Sequence, residues 1–393
     1  MKKTIFAVMI LALLTACSPT TISLTPHPAA PPDDGFLITR CATIYSFPPL
    51  GVKFKGSVVL NDYENTSNLF IKNLENGSEI PLATPSDTVA DIRISPDHKR
   101  VGYQLGNNDI EWRLIIADAQ GNRQTEQVWE QGFFILGNWL NNGQILMLTT
   151  PPFVALNPDT NETKDFTYSD FPDYAFDARN NRIALFDPSL EKAAYKNTND
   201  KVSLYDIPSK KVLAEVDNHP NPTIIGAWAP DGSQVAVTGT IPLGLTTDSS
   251  YDSDDLFSIT RDGQVKRLTH LADHYGKLVN ISKAGVSWSP DSRFVGFWTI
   301  YPQNDYKYWE LAIHDLTTDK TTNYCISNDY ENILNSTHYL LPPVWSPDGK
   351  QVLVENRYDN KSSRTLILDL ETNKAYQIAE NMFPAGWLVG ETP

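Results

Sequence analysis

The chain runs to 393 residues, 41% of them hydrophobic, with 47 acidic against 32 basic side chains and a formal net charge of −15. Such a surface repels phosphate backbones, which excludes nucleic acid as a partner. The length exceeds an ordinary single domain, but closed all-β architectures reach it as one unit.

The first predicted element is an address. Met1 to Lys3 give a short basic start, and an apolar run of eleven residues follows from Thr4 to Leu14. That run is too short to span a bilayer and suits the core of a signal peptide. It ends in Leu14-Thr15-Ala16-Cys17. This tetrad resembles the lipobox of bacterial lipoproteins, with Leu three residues before the Cys and a small residue just before it. The resemblance implies cleavage after Ala16, a diacylglyceryl group on Cys17 and acylation of the new N-terminus. Several acyl chains on one residue anchor stably where a single chain does not. Ser18 stands where an Asp would resemble the inner-membrane retention signal of enteric bacteria. A host with two membranes would therefore carry the protein on the outer one, facing the periplasm or the surface.

The expected organisation is a signal peptide over 1–16, a lipidated Cys and tether over 17–35, an entry segment over 36–56 and a folded domain over 57–393. The tether SPTTISLTPHPAAPPDDG holds five prolines and little to bury, so it is expected to be disordered or extended. At ~3 Å per residue it spans roughly 50 Å. Besides Cys17 the chain has Cys41 and Cys325. In an exported protein two such cysteines can pair, which would pin the entry segment to the domain; two free thiols are the alternative.

The folded region repeats. SPDHKRVGY at 95–103, APDGSQVAV at 229–237, SPDSRFVGF at 289–297 and SPDGKQVLV at 346–354 each join a Pro-Asp turn to alternating apolar residues. Proline presets φ at the second turn position and Asp or Gly suits the bend, so each segment reads as a β-hairpin. A large apolar residue precedes each turn: Ile94, Trp228, Trp288 and Trp345. Weaker copies begin at Trp139 and Phe176, and Trp387 takes the same slot near the C-terminus. A second strand recurs as LFIKN, LIIAD, FVALN, VSLYD, LFSIT, LAIHD and TLILD, at spacings of 39 to 55 residues. A shorter strand follows it, as in EIPLA, VKRLT and AYQIA.

The Trp-Ser-Pro-Asp-Gly-Lys box and the Leu-x-x-x-Asp-Leu strand together resemble the WD-like repeat of TolB-like propeller proteins, over roughly residues 57–389. The expected fold is an all-β, seven-bladed propeller of four-stranded antiparallel blades, with six blades as the alternative count. The chain opens on three strands that lack a Trp-bearing partner and closes on a lone Trp-bearing strand. Joining the two ends completes one blade and removes an exposed edge.

In such a blade the tight turns lie on one face and the longer connections on the other, which is the expected functional side. The connections are placed at 187–200, 239–254, 269–285, 299–308 and 325–343. Candidate binding residues there are Asp252, Asp254, Tyr301, Tyr306, Tyr308 and Trp309. Acids can gather a hard cation, and aromatics can stack on sugars or grip a cationic peptide. A solvated acidic loop and packing between blades are the plain alternatives. His270 and His274 have a metal-like spacing without a visible third ligand. No Gly-x-Ser-x-Gly elbow, P-loop, Gly-x-Gly-x-x-Gly or His-Glu-x-x-His occurs. The expected function is binding or scaffolding of an envelope protein or peptide by a monomer without cofactor. An envelope enzyme or binder acting on polysaccharide, assisted by a metal, is the alternative.

Overall fold

The computed structural model describes residues 21–22, 35, 37–46, 53–62, 68–84, 86–107, 111–129, 135–148, 153–166, 176–177, 182–197, 199–218, 226–241, 253–275, 279–282, 285–300, 308–329, 340–357 and 362–389. Cys17 and the whole signal segment lie outside them.

Strand sequences here are apolar at consecutive positions, and the structure shows why. In the segment Gln351–Arg357, Val352 and Val354 face one neighbouring sheet while Leu353 faces the other. The period of two sends alternate residues into the two flanking junctions, so both faces of every sheet are covered. Seven hydrophobic clusters result among the described residues, each joining two adjacent sheets. The last of them, with Phe54, Val58, Leu60, Leu353, Ile367 and Trp387, joins sheet seven back to sheet one and closes the ring. The fold is a seven-bladed β-propeller.

Blade 1 takes its first strand, Met382–Leu388, from the C-terminal end and the other three, Ser57–Asp62, Leu69–Asn73 and Glu79–Pro81, from the N-terminal end. Gly386 in the closing strand meets Ile94 of blade 2 so tightly that a Cβ would lie 2.1 Å from the Ile94 side chain. Blades 2, 3 and 5 follow the expected repeat, beginning at Thr88–Ile94, Ile135–Trp139 and Gly226–Trp228. Blade 6 begins twice, since Asn280–Ile281 and Ser287–Trp288 both pair with Phe294–Ile300. Blade 7 begins at Val344–Trp345.

Blade 4 differs from the sequence reading. Phe176–Asp177 pairs only with Arg182–Ile183 in a short separate ribbon. The blade's first strand is Leu185–Phe186, and its hairpin turn is Asp-Pro-Ser-Leu at 187–190. The physical reason is a swap of roles. In the Ser-Pro-Asp turns the serine Oγ accepts the N–H of the residue five further on and donates to the aspartate, as Ser346 does with Gln351 and Asp348. In blade 4 the Asp187 carboxylate accepts the Lys192 N–H at 2.7 Å and the Ser189 hydroxyl. Leu190 takes the left-handed position, φ 57°, that Gly232 and Gly349 fill elsewhere. The stretch from 187, expected as a long connection, is therefore a tight turn followed by the strand Lys192–Lys196.

The entry segment is also more ordered than its sequence suggests. Strand β1 (Thr21–Ile22), β2 (Leu37–Thr39) and β3 (Thr43–Tyr45) form a strap on the outer rim. β2 adds in parallel to the outer strand of blade 6, Lys320–Asp329, and β3 in parallel to that of blade 7, Lys374–Glu380. β1 pairs with β3, so two residues of the tether join the sheet. Between β2 and β3, Cys41 is disulfide-bonded to Cys325. A bulge aims Cys325 at its partner. The register slips between Glu310 and Ala312, Cys325 sits at φ 56°, and its N–H bonds Asn323 Oδ1 at 2.8 Å.

Candidate functional site

The first-strand tryptophans are structural. Each indole N–H reaches back to the preceding blade: Trp139 to Arg93 O at 3.3 Å, Trp228 to Leu185 O at 2.8 Å, Trp288 to Ala227 O at 2.8 Å and Trp345 to Ser287 Oγ at 3.1 Å. Trp387 breaks the series and donates to Lys55 O at 3.2 Å, because the entry segment lies wedged between blades 7 and 1.

On the long-connection face, two polar networks lie in blades 5 to 7. The strand Ser253–Thr260 brings two buried carboxylates to that end. Asp255 accepts Arg267 Nη2 at 2.5 Å, Thr269 Oγ1 at 2.5 Å and the Leu271 N–H at 2.8 Å. Burial pushes its carboxyl up, while Thr269 and Arg267 oppose that shift. Asp254 accepts the Ile281 N–H at 3.1 Å, and its own N–H bonds Val279 O at 2.8 Å. The pair thus holds both ends of the connection from blade 5 to blade 6, including the short helix α1 (Leu271–Tyr275). Asp254 was expected to face a ligand; it is buried and serves as an anchor for backbone.

Replacing Asp255 by Ala will lower stability by about 3 kcal/mol, since it strips partners from Arg267, Thr269 and the Leu271 amide together. Urea titration measures the loss, and amide exchange at Leu271 and Ile281 will show it concentrated in this connection.

A second polar lattice lies where blades 6 and 7 meet. Asn328 Nδ2 donates to Glu355 O at 3.2 Å, and its Oδ1 accepts the Arg357 N–H at 2.6 Å. Asn356 Nδ2 donates to Ser327 O, and Arg364 Nε donates to Asn356 Oδ1 at 2.8 Å. All of these ends face the long connections. Sequence reading did not single them out, because Asn, Glu and Arg at strand ends read as solvated residues. The signal available was their position, within the apolar repeat rather than beyond it.

Of the aromatic candidates, Trp309 is 9% exposed and packs in the cluster between blades 6 and 7 with Trp298 and Ile44. It belongs to the core, and the packing alternative describes it. Tyr308 is half-buried at the start of its strand. Asp252, Tyr301 and Tyr306 lie outside the described residues, as do Ala16 and Cys17.

His270 and His274 start and nearly end one helical turn, but the ring of His270 bonds Asp273 Oδ2 at 3.2 Å and that of His274 packs edge-on against Tyr275. Among the described residues no group of three or more His, Cys, Asp or Glu is placed to hold a metal. Among the described residues the histidine that the fold does bury is His314, in the strand position where blades 2 to 5 and 7 place Ala117, Leu156, Tyr205, Ile259 and Leu368. Its Nδ1 lies 3.2 Å from Thr321 Oγ1 and its Nε2 3.7 Å from Asp319, which also holds Lys266 Nζ at 2.8 Å.

Burial pushes His314 down from 6.5 to about 4. The unfolded chain therefore binds this proton more readily. The stability it contributes is full above about pH 6.5 and is lost as the pH falls toward 4, amounting to about 3 kcal/mol. Chemical denaturation between pH 7.5 and 4 will show that fall, and His314→Gln will remove this component of it.

No protein-family model and no curated protein matches the chain. Among solved structures it is similar to TolB from Acinetobacter baumannii, with 14% identity, a TM-score of 0.45, and coverage of 88% of this chain and 68% of that one. It is similar also to a chain in the crystal structure of the mitotic checkpoint complex, with 14% identity, a TM-score of 0.46, and coverage of 98% and 99%.

Proposed function

We propose that this chain is a lipid-anchored extracytoplasmic binding module whose propeller docks a protein or peptide partner on the long-connection face. The observation that carries the reading is the buried Asp255 network. Four hydrogen bonds to a carboxylate with no solvent exposure, two of them from Arg267, fix the connection between blades 5 and 6. Burying a charge is unfavourable for stability alone, and the gain is a rigid platform for recognition. The Asn328–Asn356–Arg364 lattice gives the neighbouring junction the same support. The lipobox supports anchoring through Cys17 after cleavage at Ala16, on an outer membrane or cell surface; because Thr21–Ile22 pair with β3, only the few residues after Cys17 separate a monomeric propeller from the lipid.

Two experiments test this. Cys17→Ser should move the protein from the membrane fraction to the soluble extracytoplasmic fraction; retention in the membrane would exclude the lipid anchor. Crosslinked envelopes should yield a partner that is lost when Tyr301, Tyr306 and Tyr308 are changed to Ala, with Trp309 kept because it belongs to the core. Capture that survives the triple substitution in a normally folded protein would exclude this face.

A further inference from the structure

Beyond that reading, and independent of it, the opposite face carries a site of its own. A cavity of about 770 Å3 opens among the tight turns where blades 7 and 1 meet. Ser346, Asp348 and Gln351 wall it on one side, Asn73 and Glu75 on another, and the incoming segment 53–56 on the third. Its size is that of a ligand pocket.

The incoming segment is built to present charge. Phe54 is 5% exposed and packs its ring 5.6 Å from Tyr376. Its neighbours Lys53 and Lys55 are exposed and line the cavity. On an extended chain two residues span roughly 6.6 Å, the repeat at which a partner strand presents alternate side chains. The path is fixed: the Trp387 indole and the Leu74 N–H bind the carbonyls of Lys55 and Gly56. Gly56 stands at φ +86° where a Cβ would lie 2.6 Å from Leu388 O.

The cavity also holds its opposite charges apart. Among the described residues, neither lysine nor the Glu75 carboxylate has an ionic partner, although all three line one space. Asp348 uses Oδ1 on its own turn, toward Ser346 and the Lys350 N–H, which leaves Oδ2 available. Separated charges of both signs in one concavity complement a ligand that carries both. A partner strand with acids at alternate positions would match Lys53 and Lys55, and a base beyond them would meet Glu75 or Asp348.

We propose that the cavity between blades 7 and 1 binds a short extended peptide of mixed charge, its alternate carboxylates read by Lys53 and Lys55 and its basic residue by Glu75 and Asp348. The probes are two synthetic peptides, acetyl-Glu-Ala-Glu-Gly-Lys-amide and its neutral counterpart acetyl-Gln-Ala-Gln-Gly-Gln-amide. Titration followed by amide NMR should show the charged peptide shifting the Gly56 amide, the Gln351 side chain and the Trp387 indole. The neutral peptide, and the double variant Lys53→Gln/Lys55→Gln, should bind at least about tenfold more weakly. Glu75→Gln should weaken binding of the charged peptide while leaving a lysine-free version unaffected. Equal binding of the two peptides, unchanged affinity in the double variant, or no binding of either would overturn the proposal. Shifts confined to the long-connection face would overturn it too, while supporting the docking face proposed above.

Discussion

Trp387→Ala will destabilise the protein by about 3–5 kcal/mol, near the top of the range for a single core substitution. The side chain is 2% exposed, fills the cluster joining blades 7 and 1, and donates its indole N–H to Lys55. Its position adds a second effect. Among the described residues, blade 1 is the only blade whose first strand is joined to the others by no hairpin, since Met382–Leu388 and Ser57–Asp62 come from opposite ends of the chain. Trp345→Ala is the matched control, because it removes a comparable indole from a blade whose strands are continuous. Calorimetry should show a clear loss for both. Only Trp387→Ala should also expose the amides of Ser57–Asp62 to rapid exchange below the global transition. Equal exchange in the two variants would mean that the closing strand is held as firmly as a hairpin.

The second large effect is expected from the crosslink. Cys41→Ser/Cys325→Ser will lower stability by about 3–5 kcal/mol, because the bond joins residues separated by 284 positions in the sequence. The strap it secures is weak by itself. β2 and β3 are three residues each. Flanking bonds are few: the N–H groups of Arg40 and Ala42 to the carbonyls of Asn323 and Tyr324, and Asn373 Nδ2 to Cys41 O. Without the bond those amides should exchange quickly, uncovering the outer edges of blades 6 and 7. Adding reductant to the unaltered protein should reproduce the change. An unchanged melting temperature and unchanged protection would show that the short strands suffice.

Architecture was legible in the sequence for a definite reason. A propeller blade is built from local hairpins, and local hairpins depend on turn chemistry that a few residues specify. Pro-Asp turns, the preceding Trp and the apolar alternation located five of the seven first strands with their turns, and the chain ends announced their own pairing. Blade 4 escaped because Asp-Pro-Ser-Leu performs the same hydrogen bonding with serine and aspartate exchanged and leucine in the left-handed place of glycine.

The functional surface was less legible. Asp254 and Asp255 sit in one acidic run, TTDSSYDSDD, and nothing local shows that they turn inward. Only the ring decides it, by bringing Arg267, Thr269 and the backbone at 271 and 281 to them. Trp309 reads as a surface aromatic until blade 7 and the strap cover it. The pattern Lys-Phe-Lys-Gly was visible at 53–56, but its meaning required the closure of blade 1, which wedges that segment between two blades. The sequence by itself determined the repeat, the turns and the closed ring, because each depends on short-range backbone preference and alternation. The tertiary structure alone decided which charges are buried, where the strap binds and which junction holds a cavity, because those depend on contacts between residues as much as 332 positions apart.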